Sequence, residues 1–277
     1  KSSRKHKSHA PAASRPPVQK FEAILDKYES VEQVQDALRK AGLESSDLII
    51  GIDYTISNQT AGKKTFNGQN LHNTNLGHLN PYQQVIRILG KTLEAFDDDN
   101  MIPVFGFGDK TTNDKTVFPF FPDRTCQGFE QVLTRYAEIT PSVNMAGPTS
   151  FAPIIRKAIE IIKQERSYHI LVIIADGQVT PDGDYCKAES ETRRAIVEAS
   201  NYPLSIILVG VGDGPWDTME EFDDGLPSRN FDNFQFVEFS RVLSWSDTSE
   251  AQEANFALMA LQEIPEQYQA ILNARLL

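Results

Sequence analysis

Cysteine is scarce in this sequence. Cys126 and Cys186 are the only two in 277 residues, too few for a disulfide framework or for a Cys-rich zinc module. Both are expected to be reduced thiols of an intracellular protein. No apolar run reaches the roughly 18–20 residues that a membrane-spanning helix requires. The first residue is Lys1 and no apolar stretch follows it, so no signal peptide is in view and a cut fragment of a longer chain is expected. Catalytic patterns are missing as well. His72 and His78 lack HExxH-like spacing, and no Ser-His-Asp or Cys-His arrangement can be assembled. Those two histidines are expected to face solvent or to order a loop. Gly210-Val211-Gly212-Asp213-Gly214 departs from GxGxxG and runs into Pro215-Trp216 instead of a helix, so it reads as a turn and no nucleotide is expected.

Basic residues are outnumbered 27 to 38, giving a net charge of −11. The exception is the start of the chain. Lys1, Arg4, Lys5, Lys7, Arg15 and Lys20 are accompanied by no acid, so the remainder is more acidic than the total suggests. An acidic body argues against nucleic-acid binding by the folded part. Residues 1–19, rich in Ser, Pro, Lys and His, read as a disordered basic tail. Attraction to an anionic membrane surface is the functional alternative for it.

From Phe21 onward the chain has the apolar content for a core, 40% overall. Phe21, Ile24, Leu25 and Tyr28 recur at helical spacing. Ser30-Val31-Glu32-Gln33 resembles a capping box that opens a second helix, ended by Gly42; residues 20–42 thus form a helical extension. The body over 43–262 then alternates. Short Val- and Ile-rich runs predict strands at 47–53, 102–107, 168–175 and 204–210, with further strands at 117–121 and 234–239. Helices are predicted over 81–97, 128–138, 151–165 and 188–200. In 151–165, Ile154, Ile155, Ala158, Ile161 and Ile162 share one face. The alternation predicts an α/β fold: a doubly wound, mostly parallel sheet with helices on both faces, Rossmann-like. Residues 57–80 form a long polar loop of the kind that carries function. Pro265 is expected to break the final helix, leaving 263–277 as a looser tail or linker.

One constellation carries chemistry. The run Leu48–Ile52 delivers Asp53-Tyr54-Thr55-Ile56-Ser57-Asn58, a carboxylate and two hydroxyls at i, i+2 and i+4. Alternate side chains of a strand end point the same way, so Asp53 and Thr55 converge and a turn brings in Ser57. Thr149, in Gly147-Pro148-Thr149-Ser150, and Asp176, after Leu171–Ile174, lie at the ends of other predicted elements. All are hard oxygen donors, suited to Mg²⁺ or Ca²⁺, with Mn²⁺ as a further candidate. Neutral hydroxyls leave the cation electrophilic toward an acidic side chain of a partner. Asn58, Ile56, Asp109 and Gly177 are candidates for supporting the ligands or forming the rim. Taken singly, Asp53 is a strand-end carboxylate, Thr149 a helix cap and Asp176-Gly177 a turn; it is their joint occurrence in order that favours a metal site. A Mg²⁺-dependent hydrolase would need a nucleophile or base beside the metal, and Thr55 and Ser57 would be consumed as ligands.

The stretches DYTISNQTAGKKTFNGQNLHN, NPYQQVIRILGKTLEAFDDDNMIPVFGFGD, GPTSFAPII and ILVIIADGQVT closely resemble the copine-type von Willebrand A domain. Within that group they are most similar to plant RING-domain ubiquitin ligases of the RGLG kind, over roughly residues 21–262. The resemblance implies that Asp53, Thr55 and Ser57 form the DxTxS metal motif, with Thr149 and Asp176 completing it. It also implies a domain that recruits substrate proteins, with a RING beyond this chain engaging the ubiquitin-conjugating enzyme. A myristoylated N-terminus at the plasma membrane, with pools in cytoplasm and nucleus, is part of the same expectation. Ile56 departs from the pattern, being a bulky apolar residue inside the metal motif. The RING cysteines are absent, so these residues alone are expected not to transfer ubiquitin. A copine-like adaptor for membranes or proteins, without ligase activity, is the alternative.

Overall fold

Strands buried on both faces need an apolar residue at every position, and the computed structural model shows where that rule operates. It describes residues 29–43, 46–93, 99–184, 186–226 and 228–277. The basic tail and the helix expected over 21–28 lie outside them, as do residues 94–97 of the helix expected over 81–97. In chain order the elements are α1 (Val31–Ala41), β1 (Asp47–Asp53), α2 (Pro81–Leu93), β2 (Met101–Ile102), β3 (Val104–Phe107), β4 (Val117–Pro119), β5 (Cys126–Gln127), α3 (Gly128–Ile139), α4 (Ala152–Glu165), β6 (His169–Ala175), α5 (Ala188–Ala199), β7 (Leu204–Gly210), α6 (Asp217–Asp224), β8 (Phe234–Glu238), α7 (Phe239–Leu243), α8 (Ser249–Leu261) and α9 (Ile264–Asn273). The six-stranded sheet has the order β4-β3-β1-β6-β7-β8. Its pairs are parallel except β3–β4. The chain therefore reverses its winding direction beside β1, at the point where ligand crevices form in such sheets.

The period-two alternation of the strands splits the core in two. Leu48, Ile50 and Ile52 of β1, Ile170, Val172 and Ile174 of β6, and Ile207 and Val209 of β7 face α1, α2, α3 and α7–α9. Ile49, then Leu171, Ile173 and Ala175, then Leu204, Ile206 and Leu208 face α4, α5 and α6. Gly51 falls on the second face, where an added Cβ would lie 2.7 Å from Ile154 Cγ1. The glycine allows α4 to approach β1 closely. In α4 the buried set is Ile154, Ile155, Ala158, Ile159 and Ile162; Ile161 is only half-buried, because the strip follows the 3.6-residue period past it.

Ser30 caps α1 by accepting from Gln33 N, and Gly42 closes it with a left-handed φ of 85°. At the other end of the chain the expected loose tail is not found. Pro265 sits in the first turn of α9, where its missing N–H costs nothing, so it starts a helix. Ile264, Pro265, Gln267, Tyr268 and Ile271 are buried, and α9 packs on α1 and β7. Tyr268 meets the ring of Tyr168 edge-on at 5.1 Å, just before β6. Both α1 and α9 thus lie toward the N-terminal ends of the strands.

Candidate metal centre

Asp53 is the last residue of β1 and is fully buried. Its Oδ1 accepts from the Thr55 main-chain N–H at 2.8 Å, which bends the chain out of the strand. A short 3₁₀ turn follows over Ile56–Gln59. Thr55 Oγ1 lies 3.0 Å from Ser57 Oγ, and Thr149 Oγ1 donates to Thr55 Oγ1 at 3.3 Å. Thr149 is brought in by the segment before α4, which pairs with the main chain near the strand ends through a Thr55–Ala146 bridge. Thr149 does not cap α4; the residue preceding that helix is Phe151, which offers no side-chain cap. The 149 segment is anchored instead to Thr180, whose hydroxyl accepts from Thr149 N at 2.9 Å. Asp176 follows β6 and is buried.

Ser57, Thr149 and Asp176 line one open depression of about 450 Å³, with Ile56, Gly177, Val179, Pro181 and Pro215 around it. Five of the candidate ligands therefore converge on one place. Asp53 Oδ2 and both carboxylate oxygens of Asp176 are buried and have no hydrogen-bond partner. Burial pushes both carboxyls above the usual carboxylate range. For Asp53 the neighbouring charge of Asp176 adds to the rise, partly offset by hydrogen bonds from Thr55. For Asp176, neighbouring Ser57 and Asp53 work against the rise. Two adjacent, buried carboxylates with three of their four oxygens unpartnered are costly unless a cation joins them. With two hydroxyls beside them and a third at the edge, the donor set is all hard oxygen and fits a small divalent cation.

The copine family profile matches residues 70–277, about three-quarters of the chain. The chain belongs to the copine family. E3 ubiquitin-protein ligase RGLG1 of Arabidopsis thaliana is 54% identical over 93% of this chain and 54% of that protein. RGLG2 of the same plant is 52% identical over 97% of this chain and 61% of that protein. Copine family protein 2 of Caenorhabditis elegans is 50% identical over 90% of this chain and 3% of that protein. The chain thus spans a little over half the length of the two plant ligases. Among solved structures, the SpRpn10 VWA domain is 12% identical with a TM-score of 0.48, covering 70% of this chain and 87% of that one.

The remaining candidates of this copine-type site divide by role. Ile56 is about half exposed at the mouth. Gly177 lies on the rim. Asn58 is buried and turned inward: its Nδ2 donates to the carbonyls of Asp53 and Thr55, and its Oδ1 accepts from Tyr82. Asp109 spends its carboxylate on its own loop, accepting from Thr111 and Thr112. Burial works to raise its pKa, but donation from Thr112 and Thr111 outweighs this and holds it below the usual range.

Three positions that support the site carry no sequence motif. Gly212 packs so tightly that an added Cβ would meet Asp176 O at 2.0 Å. Asp213 accepts from Lys64 N, Thr65 N and Thr65 Oγ1, pinning the long 57–80 loop to the end of β7. His72 is buried beneath Asp53, with Nε2 2.7 Å from the Asp53 carbonyl and Nδ1 2.7 Å from Tyr136 Oη; burial lowers its pKa to about 3. The loop-ordering role expected for a histidine here falls to His72, while His78 is exposed. Among the described residues, a separate cluster of Asp47, Glu165 and His169 has ligand-like spacing. It lies at the N-terminal ends of β1 and β6, the far edge from the site. There His169 Nε2 meets Glu165 Oε2 at 2.8 Å and Nδ1 faces Ser167 O at 3.1 Å, a polar tie between α4 and β6.

Proposed function

We propose that this chain is the metal-dependent, substrate-recruiting domain of a RING-type E3 ubiquitin ligase. The observation that carries the metal reading is the pair of buried carboxyls of Asp53 and Asp176, three of whose four oxygens have no hydrogen-bond partner, beside the hydroxyls of Thr55, Ser57 and Thr149. These five residues would hold a divalent cation, Mg²⁺, Ca²⁺ or Mn²⁺. When bound, the ion supplies a Lewis-acidic contact for an acidic side chain of a partner protein. The chain's own part is to neutralise the ion incompletely and to surround it with an apolar rim, Ile56, Pro181 and Pro215, that a partner covers. The ligase assignment is supported by 54% and 52% identity to the RGLG1 and RGLG2 ligases over more than nine-tenths of this chain. In this reading the ubiquitin-conjugating enzyme is engaged by a RING elsewhere in the full protein. The acid-free basic segment at residues 1–20 favours attachment to the cytoplasmic face of the plasma membrane; pools in cytoplasm and nucleus belong to the same reading. Among the described residues no helix is long and apolar enough to cross a membrane.

Calorimetric titration of Mg²⁺, Ca²⁺ and Mn²⁺ into metal-stripped protein, beside Asp53→Ala, tests the site. Saturable binding in the wild type and its loss in a folded Asp53→Ala is expected; wild-type protein that takes up none of the three ions sinks the metal reading. Joining the chain to its RING-bearing remainder and assaying substrate ubiquitination with and without the ion tests the ligase reading. A second reading, an adaptor without ligase activity, is favoured by the 50% identity to Copine family protein 2. The same ubiquitination assay separates the two.

A further inference from the structure

The metal motif is held from below by groups that belong to none of its ligands. The Asp53 carbonyl receives donors from His72 Nε2 at 2.7 Å and Asn58 Nδ2 at 3.2 Å, while Tyr82 Oη, 3.2 Å away, gives its single proton to Asn58 Oδ1 at 2.7 Å. A carbonyl oxygen only accepts, so the His72 proton must be on Nε2. The ring is neutral in this buried setting, which leaves Nδ1 as an acceptor. Tyr136 Oη then donates to Nδ1 and itself accepts from Asn80 Nδ2 at 3.1 Å. Proton direction is thereby fixed along the whole chain from Asn80 through Tyr136 and His72 to Asp53. The imidazole is also clamped sideways. It stacks on Tyr54 at 4.5 Å with planes 15° apart and on Tyr82 at 4.0 Å with planes 19° apart.

We propose that His72 is a positioning residue of the metal centre: its Nε2–H fixes the Asp53 main chain, so that the carboxylate of Asp53 and the hydroxyl of Thr55 stay aimed at one point. This assigns the 57–80 loop a function, since it carries His72 under the site. The inference rests on the metal-binding reading above, and its tests are separable from it. Outer-shell groups that hydrogen-bond and orient metal-ligating residues typically change metal affinity when replaced, by about tenfold or more.

The first test uses wild-type, metal-free protein. Long-range ¹⁵N–¹H correlation of the His72 ring should show the Nε2–H tautomer with a slowly exchanging proton. An Nδ1–H tautomer overturns the proposal, whether or not the protein binds metal. The second test is Mn²⁺ titration followed by electron paramagnetic resonance. His72→Phe keeps a ring in the stack but donates nothing, and should bind Mn²⁺ about tenfold or more weakly. His72→Gln, whose amide can still donate to Asp53, should recover much of that loss. Tyr136→Phe disturbs the same buried chain but leaves Nε2–H in place, and should bind nearly as wild type while losing thermal stability. A folded His72→Phe with wild-type affinity overturns the proposal. If His72→Phe does not fold, equal weakening in Tyr136→Phe and His72→Gln overturns it, because loss would then follow general destabilisation. Wild-type protein that binds no Mn²⁺ sinks the metal reading instead, and the tautomer result stands apart from it.

Discussion

At the residue scale the two buried carboxyls decide the behaviour of the site. Folding raises the pKa of Asp53 and of Asp176, mainly by burial. A carboxyl raised in the folded state contributes its full share of stability below its unfolded value, about pH 4, and loses it as pH rises through the folded value. Depressed carboxyls such as Asp109 and Asp213 act in the opposite sense, losing their contribution as pH falls through their folded values. Comparing wild type with Asp176→Asn isolates the first effect. Without metal, Asp176→Asn should melt higher than wild type at pH 7, with the gap closing toward pH 4; with saturating Mg²⁺ the order should reverse. A thermal-melt series over pH 4–8 measures both, and an unchanged gap across that range contradicts the assignment. Gly212 makes a second residue-level case. Its added Cβ would meet the Asp176 main chain, which cannot swing aside as a side chain does. Gly212→Ala should cost about 2 kcal/mol in urea unfolding and weaken metal binding as well; a neutral substitution refutes the close contact.

At the element scale two segments behave against local appearance. The C-terminal segment has a proline at its second position, which in isolation suggests a break. Proline within the first helical turn removes only an N–H that would be unbonded, so α9 forms and buries Ile271 completely. Ile271→Ala should therefore destabilise the protein by about 3 kcal/mol, read as a lower urea midpoint at unchanged slope. No measurable loss would mean that α9 does not pack. The loop over 57–80 lacks any hydrophobic period, yet Phe66, Leu71 and His72 are buried and its main chain is pinned by Asp213. Such a segment is ordered by distant partners: Asp213 is 148 residues from Thr65, a separation that no local pattern encodes.

At the scale of the whole molecule the sheet is shared by two cores. Alternate residues of β1, β6 and β7 feed opposite faces, so neither face can lose its packing while the other keeps its strands. The two layers should unfold together. Trp216 lies on the α4–α6 face, while the helices sampled by far-ultraviolet circular dichroism lie on both. Coincident urea transitions by Trp fluorescence and circular dichroism are expected; two separated midpoints would show that the layers are independent. The α/β alternation, the parallel strands and the strand-end positions of Asp53 and Asp176 were legible in the chain, because hydrophobic periodicity and the capping pattern at Ser30 are local properties. Thr149 and Asp176 could be named as partners of Asp53 through resemblance to copine-type domains and their order along the chain. Their approach, however, depends on β1 and β6 lying side by side in the sheet. The His72 relay, the Asp213 pin and the Gly212 contact were beyond reach for the same reason: each joins segments far apart in sequence. Isolated His, Asp and Gly residues acquire those roles only when the fold brings distant segments against them.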